Sequence, residues 1–251
     1  MEVRKYLQRI GISENVELKP DIKLLKLLQY MHVTKVPYEN LDILEKKSPC
    51  LDIPYLYEKI VTKHRGGYCF ELNALFAALL KELGYEVKSY FARYLRGEST
   101  LPMRRHRVLV VKAEGKDYLC DVGIGDVAPR YPLLMEYSLE QQFEDEFYRI
   151  ERDEFLGTVL WEKYKGQWRK YFSFTDDLCD ELDFIQPDFY CRYHPDSPFN
   201  KDNIVALKTP DGRKTLDGCI YKEFLLGELK VITEIKRDEI PMLLKEKFGL
   251  E

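Results

Sequence analysis

A helical stripe that starts directly behind two glycines and a cysteine constrains this chain more than any other feature. Residues 64–73 read HRGGYCFELN, and apolar residues then recur at helical spacing until Gly84. Such a stripe predicts an amphipathic helix that ends at a glycine. Gly66 and Gly67 would form a tight entry, and Cys69 would lie at or just inside the helix N-terminus, at its packed edge. The stripe consists of Leu72, Leu75, Phe76, Leu79, Leu80 and Leu83.

The rest of the chain is divided by its periodicity, because it has no internal repeat, low-complexity tract or Gly/Ser linker. Residues 21–33 predict a helix that starts at Asp21, VPYENLDI predicts a loop, and a short helix is expected around residues 55–62. After Gly84, β-favouring runs alternate with turn signals. The sequence therefore predicts a helical bundle, then an antiparallel β-domain or barrel, then a smaller mixed segment with a final helix. The expected strands are 87–95, 107–113, 117–122, 147–151, 157–164 and 168–174, and the final helix is 238–248.

Composition excludes several classes of protein. The 251 residues are 45% hydrophobic and 33% charged, which is typical of a globular chain with one large domain or two to three subdomains. A net charge of −4 argues against nucleic acid as the main partner. No apolar run approaches the roughly 20 residues that span a bilayer, and the charged start MEVRKYLQRIG lacks the apolar part of a signal peptide. The sequence predicts a cytoplasmic protein without a membrane partner.

The six cysteines have few roles open to them in that compartment. They are scattered, with no CxxC pair and no histidine at metal-binding spacing, and a reducing cytosol disfavours disulfides. Each is therefore a small buried hydrophobe, which is the usual case, or a reactive thiol, and no metal is expected. The six are Cys50, Cys69, Cys120, Cys179, Cys191 and Cys219.

A nucleophilic cysteine needs a base, and His106 is the best placed of the four histidines. It opens the strand RVLVVKA, and a turn at residues 114–115 would place it opposite Gly123. Asp121 would then lie on the same face as a diagonal neighbour, about 7–8 Å away along the backbone. The same register places Cys120 on the opposite face. A slip of one residue in the register would instead place Asp121 on the face away from His106. The other histidines, His32, His64 and His194, are expected on the first long helix and on two loops.

A cysteine, a histidine and an aspartate also occur together in many chains without any shared function. Three features favour a triad here: the glycine entry to the helix, the predicted pairing of His106 with Asp121, and the absence of a better-placed histidine. A helix N-terminus and a nearby imidazolium both lower a thiol pKa. The sequence therefore predicts a Cys69 thiolate near neutral pH.

At this point the motifs resemble those of the arylamine N-acetyltransferases, over nearly the whole chain. RGGYCFE is the most specific of them, and the spacing from His106 to Asp121 is also the family's own. The resemblance is carried by YLQRIG at 6–11, VPYENL at 36–41, RGGYCFELN at 65–73, HRVLVV at 106–111, DVGIG at 121–125, HPDSPF at 194–199 and the ending EKFGLE.

The resemblance implies an α+β fold around a cysteine-protease-like core. Residues 1–86 would form a helical bundle with the nucleophile, 87–195 an antiparallel β-barrel with the base and acid, and 196–251 an α/β lid. It also implies a ping-pong transfer of acetyl groups from acetyl-CoA to arylamines, arylhydrazines or N-hydroxyarylamines in xenobiotic metabolism. The nucleophile, base and acid would be Cys69, His106 and Asp121, with an acetyl-cysteine intermediate and no metal.

Other residues match family positions around this site. Glu39 and Arg65 would form an ion pair that braces the nucleophile loop, while Tyr38 and Ile124 would wall the amine pocket. Having isoleucine at 124 in place of the family's frequent phenylalanine removes one stacking surface.

Several residues are candidates for contact with CoA. Asp126 would place a negative charge beside the expected CoA path, whereas a basic cluster next to His106 would hold phosphates or simply form a solvated strand edge. The cluster is Arg104, Arg105 and Arg107. Gly123 and Gly125 would admit the pantetheine arm or only shape a turn. Ser197 is placed with Phe199 in a segment lining the cofactor cleft.

The sequence leaves two other functions open. A transglutaminase-like or papain-like amide hydrolase would use the same three residues, because the acyl-enzyme chemistry is shared. A silent homologue that only binds CoA or an aromatic ligand is the other alternative. Acetyl-CoA-dependent acylation of Cys69 distinguishes both from an acetyltransferase.

Overall fold

Helices make up the N-terminal part of the computed structural model, which describes residues 1–250. The predicted start of the second helix at Asp21 is confirmed, since the Asp21 carboxylate accepts the Leu24 N–H at 2.9 Å. The fourth helix continues into a π-helical turn at Glu58–Thr62. The elements are α1 (Val3–Arg9), α2 (Ile22–Lys35), the short strand β1 (Tyr38–Glu39), α3 (Leu41–Leu44), α4 (Ile53–Tyr57) and α5 (Cys69–Glu82).

The helix α5 is the predicted amphipathic helix, and it is buried along almost its whole length. Leu72, Leu75, Phe76 and Leu79 are fully buried in the largest apolar cluster, which also takes in residues of α1, α2 and the following sheet. Burying one such side chain stabilises the fold by about 1.5–3 kcal/mol. The first residue of α5, Cys69, is therefore held on a rigid element.

An eight-stranded antiparallel sheet follows and curls into a nearly closed barrel. Its strands are β2 (Glu86–Tyr94), β3 (His106–Ala113), β4 (Lys116–Cys120), β5 (Leu133–Leu134), β6 (Glu140–Phe143), β7 (Glu146–Asp153), β8 (Gly157–Tyr164) and β9 (Gln167–Leu178). They lie in the order β5-β4-β3-β2-β9-β8-β7-β6. The two edge strands, β5 and β6, are joined by one side chain. The Gln141 side-chain amide accepts the Leu134 N–H at 2.8 Å and donates to the Leu134 carbonyl at 2.9 Å.

The C-terminal part is a second antiparallel sheet with a short helix packed against it. The helix α6 (Ile185–Tyr193) leads into it, followed by β10 (Ile204–Thr209), β11 (Gly212–Asp217), β12 (Ile220–Leu225), β13 (Glu228–Glu234) and α7 (Ile240–Leu243). The sheet order is β1-β10-β11-β12-β13, so β1 ties the N-terminal helices to this sheet. A π-helical turn at Leu244–Phe248 extends α7 and completes the predicted final helix.

The predicted α+β architecture is confirmed, with three local corrections. VPYENLDI is not a loop throughout, because Tyr38–Glu39 pairs with Val205 and Ala206 and a helical turn follows. The strands β5 and β6 were not predicted, since both are short. The helix α6 was not predicted either; its Pro187 lies in the first turn, where no N–H is needed. No helix within residues 1–250 is long and apolar enough to cross a membrane.

Candidate active site

Cys69 is the first residue of α5, as predicted, and only 3% of its surface is exposed. Tyr68 precedes it as the N-cap residue, and the Glu71 carboxylate accepts the Tyr68 N–H at 3.1 Å. The Cys69 thiol donates to the Arg105 carbonyl, with 3.8 Å between sulfur and oxygen. The thiol therefore lies between the start of α5 and the segment that leads into β3.

The two glycines before Cys69 serve a different purpose from the predicted one. Neither has a positive φ, and the left-handed residue of this loop is His64, at φ 54°. A Cβ on Gly66 would lie 2.1 Å from the Pro37 carbonyl oxygen. Gly67 pairs with Tyr38, and its carbonyl accepts the Glu39 N–H at 2.8 Å. The glycines thus allow close approach of two backbones, and the exposed His64 makes the turn.

The predicted register of the β3–β4 hairpin is confirmed, because Leu109 pairs with Cys120 and Val110 with Leu119. The His106 Nε2 lies 2.6 Å from Asp121 Oδ2, and both residues are buried. An ionised carboxylate only accepts hydrogen bonds, so Nε2 carries a hydrogen and Nδ1 is left for another partner.

Asp121 has its remaining oxygen fixed by two donors. Asn73 Nδ2 donates to Asp121 Oδ1 at 2.9 Å, and the Gly123 N–H donates to the same oxygen at 2.8 Å. Asn73 also donates to the Arg107 carbonyl at 2.7 Å and accepts the Val122 N–H at 3.0 Å. Asn73 therefore ties α5 to both strands of the hairpin. Asn73 was not predicted as a site residue, although it occupies the helical position four residues after Cys69.

Cys69 and His106 line one cavity of about 330 Å³, which we call the central cleft. Of the predicted site residues, the cleft brings together Tyr38, Cys69, Arg105, His106, Gly123, Ile124 and Gly125. Tyr94, which was not predicted, and Phe199 add aromatic surface beside Tyr38, so the wall at Ile124 is not the main source of stacking. The cleft is thus an aromatic pocket with a thiol and an imidazole in its wall.

Burial raises the pKa of the Cys69 thiol well above its ordinary value, and the nearby Cys191 and Asp121 raise it further. The backbone N–H groups of Arg107 and Phe70 act in the opposite direction. The helix end therefore lowers the thiol pKa, as predicted, but burial outweighs it and the pKa of the thiol on its own is raised overall. A thiolate at this depth needs a paired cation, and a protonated His106 would supply one.

Gly123 allows the hairpin to contact α5. A Cβ at this position would lie 2.8 Å from the Cys69 Cα and 2.7 Å from Asn73 Nδ2. Gly125, by contrast, has φ 74°, and a Cβ there would make only ordinary van der Waals contact with Tyr38, at 3.5 Å. The requirement for glycine at 123 comes from packing and that at 125 from backbone conformation.

Three predicted cofactor contacts are not placed on the central cleft. Ser197 is fully buried, where it donates to the Cys191 carbonyl and accepts the Phe199 N–H at 3.2 Å, so its hydroxyl is not available to a ligand. Arg107 is also buried, and Glu181 holds its guanidinium at 2.6 Å. Arg104 lines a different cavity.

The predicted ion pair between Arg65 and Glu39 is present, at 3.4 Å. Asp42, which was not predicted, lies closer to Arg65, at 3.0 Å. Lys59 is 2.9 Å from Asp42 and also 2.9 Å from Glu71. Because Glu71 holds the N–H of the residue before Cys69, this buried network reaches the loop that leads into Cys69.

The same network controls the ionisation of Asp42. Burial alone raises the pKa of Asp42, but Lys59, Lys47 and Arg65 outweigh it and hold that pKa at about 2. Asp42 is therefore a buried carboxylate whose charge depends on its cations.

The remaining thiols and charges give no sign of a metal centre. All six cysteines are unpaired, and Cys120 is buried in the apolar core behind β4. Within residues 1–250, no group of three or more His, Cys, Asp or Glu side chains is placed to hold a metal ion.

Comparison with known proteins extends over almost the entire chain. A family model described as N-acetyltransferase matches residues 21–251. The arylamine N-acetyltransferase / N-hydroxyarylamine O-acetyltransferase of Salmonella typhimurium is 30% identical over 252 residues, covering 98% of this chain and 86% of that protein. The arylamine N-acetyltransferase of Escherichia coli is 34% identical over 254 residues, covering 98% and 87%.

Solved structures also resemble this chain over almost its whole length. The arylamine N-acetyltransferase of Salmonella typhimurium has a TM-score of 0.93 at 28% identity, covering 99% of this chain and 90% of that one. The Mycobacterium marinum arylamine N-acetyltransferase in complex with CoA has a TM-score of 0.91 at 29% identity, covering 99% and 93%. The chain therefore belongs to the arylamine N-acetyltransferase family of acyltransferase enzymes.

Proposed function

We propose that this protein transfers acetyl groups from acetyl-CoA to arylamines, arylhydrazines or N-hydroxyarylamines by a ping-pong mechanism through acetyl-Cys69. The observation that carries the proposal is the convergence of Cys69 and the Asp121-bound His106 on one aromatic cleft. A thiol, an oriented imidazole and a pocket lined by aromatic rings together suit acyl transfer to an aromatic acceptor.

In the first half-reaction His106 takes the Cys69 proton, and the resulting ion pair offsets the cost of a buried thiolate. The sulfur attacks the acetyl carbonyl carbon, the bond from that carbon to the CoA sulfur breaks, and the proton on His106 leaves with the CoA thiol. Asp121 holds the imidazole in position and stabilises its charged form. The Cys69 N–H, at the start of α5, is a donor for the oxyanion that forms on the way.

In the second half-reaction the acceptor amine occupies the cleft. Tyr38, Tyr94 and Phe199 provide ring faces for stacking, with Ile124 as an aliphatic wall. The amine nitrogen attacks the thioester carbon, His106 accepts the nitrogen's proton, and the bond to Cys69 breaks. The acetylated product leaves and the thiol is restored.

We place the charged end of acetyl-CoA in a second cavity, the charged cavity, which adjoins the central cleft. It has a volume of about 330 Å³ and lies between the barrel and the C-terminal sheet, and Asp126 and Val127 line both cavities. The cavity's cations include Arg213, whose Nε lies 2.8 Å from Asp126 Oδ2. In this arrangement Arg213 exchanges Asp126 for a phosphate of the donor, and Asp126 competes with the cofactor.

This placement predicts opposite effects from the two partners of that ion pair. Arg213→Gln raises the KM for acetyl-CoA by about tenfold or more, because a charge-assisted contact is lost. Asp126→Asn lowers that KM. Neither variant changes the rate of acylation by p-nitrophenyl acetate, because this donor has no phosphate. Lys214→Gln, next to Arg213 on the same strand, is the matched control. If Arg213→Gln slowed acylation equally with acetyl-CoA and with p-nitrophenyl acetate, this placement of the cofactor would be contradicted.

Intact-protein mass spectrometry after mixing with acetyl-CoA tests the function itself. We expect one acetyl adduct on the wild type, none on Cys69→Ala, and an unchanged adduct on Cys191→Ala, which removes the neighbouring buried thiol. The adduct should disappear when an arylamine is added. An amide hydrolase would form no adduct from acetyl-CoA, and a silent homologue would bind CoA without acylation.

We also place the protein in the cytoplasm, which suits its six unpaired thiols.

A further inference from the structure

Arg104 and Arg105 line a cavity that the proposed reaction does not use. We call it the arginine cavity. It has a volume of about 520 Å³, which is within the range of about 300–1,000 Å³ typical of small-molecule sites. It lies between the segment before β3 and the helical region 181–193. Its lining residues are Phe91, Met103, Arg104, Arg105, Leu182, Asp183, Gln186, Pro187 and Tyr190.

The arginine cavity carries more positive than negative side chains, with two arginines and one aspartate in its wall. Within residues 1–250, no carboxylate lies within ion-pair distance of the Arg105 guanidinium. Arg104 has only an exposed contact with Asp177, at 3.3 Å. The single acid in the wall, Asp183, already accepts the Asp180 N–H at 2.7 Å as part of a helix cap. An anion would therefore find a free guanidinium here.

The remaining wall is apolar and unusually exposed. Leu182 is 73% exposed and Met103 is 47% exposed, and both line the cavity together with Tyr190 and Pro187. Large apolar side chains at the rim of a concave site gain free energy when a ligand covers them. A ligand that satisfies both parts of the wall combines a negative group with a flat apolar body.

We propose that the arginine cavity binds a small aromatic carboxylate, with the carboxylate on Arg105 and the ring against Leu182 and Met103, and that occupancy lowers the reactivity of Cys69. This site is separate from the acetyl-transfer step and does not depend on it. Carboxylate recognition by a planar guanidinium is the chemistry that the free Arg105 provides.

Arg105 connects the cavity with Cys69. It lines both the arginine cavity and the central cleft, and its carbonyl accepts the Cys69 thiol. Its positive charge also acts on Cys191, which lies in the same buried cluster as Cys69. A carboxylate bound to Arg105 cancels positive potential near the thiol and so disfavours the thiolate. We expect alkylation of Cys69 to slow by about three- to tenfold at saturation, without being abolished.

Isothermal titration calorimetry with 2-naphthoate, with 2-naphthamide as its neutral counterpart, tests the binding. We expect a single site with Kd below about 1 mM for naphthoate and at least about tenfold weaker binding of naphthamide. Leu182→Asp places a carboxylate at the rim and should weaken naphthoate binding by about tenfold. Ile185→Asp adds the same charge on the same exposed helical region outside the cavity and is the matched control. Both variants should retain wild-type Cys69 alkylation without ligand.

Three results would overturn the proposal. Naphthoate that blocks Cys69 alkylation completely, equally in the wild type and Leu182→Asp, would be bound in the central cleft. Equal affinity for naphthoate and naphthamide would refute recognition by Arg105. A dimer in size-exclusion chromatography that Leu182→Asp converts to a monomer, with no naphthoate binding, would identify this face as a subunit interface.

Discussion

Replacing His106 by glutamine tests whether the Cys69 thiolate exists only as half of an ion pair. The glutamine amide nitrogen can keep the hydrogen bond that His106 Nε2 makes to Asp121, at 2.6 Å in the wild type. It cannot take up a proton, however. The variant therefore removes the imidazolium cation but keeps an N–H donor for the buried Asp121 carboxylate. Because that carboxylate stays hydrogen-bonded, we expect the fold to persist.

The expected loss follows from the burial of the thiol. A cysteine with its ordinary pKa of about 8.5 is about 3% ionised at pH 7. Burial raises the pKa of Cys69 above its ordinary value, so about 3% is an upper limit once His106 is gone. A thiolate paired with imidazolium is ionised at neutral pH. The rate of Cys69 alkylation should fall by at least about 30-fold in the variant.

The assay is the rate of iodoacetamide labelling of Cys69, followed by peptide mass spectrometry across a pH series, with the half-buried Cys50 as internal reference. In His106→Gln the rate should rise about tenfold per pH unit through the neutral range, whereas the wild-type rate should be nearly flat there. A variant that labels at the wild-type rate near neutral pH, with an unchanged melting temperature, would refute the ion-pair reasoning.

Three further predictions concern the supports of the site. Asp121→Asn should lower the rate of acylation by about 10³–10⁴-fold in single-turnover measurements, because the imidazole loses its orienting carboxylate; an intact rate would contradict this role. Gly123→Ala should lower the free energy of unfolding by about 1–3 kcal/mol in urea, since its Cβ would lie 2.8 Å from the Cys69 Cα. The pKa of Asp42 is about 2, below its unfolded value of 3.8, so its stabilisation is present above about pH 4 and is lost as the pH falls. Asp42→Asn should therefore destabilise the protein by about 1–2 kcal/mol at neutral pH, and most of this difference should be lost by about pH 2.

Periodicity predicted the parts of the site that lie on regular elements. The stripe from Leu72 placed Cys69 at a helix start, and the turn between β3 and β4 determined which residues face His106. Both arguments depend on fixed repeats of the backbone, which act within one or two elements. They therefore hold without knowledge of the rest of the fold.

The predictions that failed concern residues whose surroundings come from distant segments. Ser197 lies in a loop, and only the tertiary fold determines that its hydroxyl faces the Cys191 carbonyl instead of a ligand. The role of Asp42 was missed for the same reason, because its partners Lys59 and Arg65 belong to other segments. The thiol pKa of Cys69 was misjudged because local sequence reports the helix end but not the depth of burial.

The Gln141–Leu134 contact has a consequence for how the barrel folds. These two residues are only seven positions apart, so the contact that joins the sheet edges is local in sequence and costs little loop-closure entropy. The pairing of β2 with β9, by contrast, brings together residues such as Tyr94 and Phe172 from distant parts of the chain. Contacts of large sequence separation slow folding. We therefore expect the rate-limiting step of barrel formation to lie in the middle of the sheet, at the β2–β9 ladder, and closure at the edges to be fast.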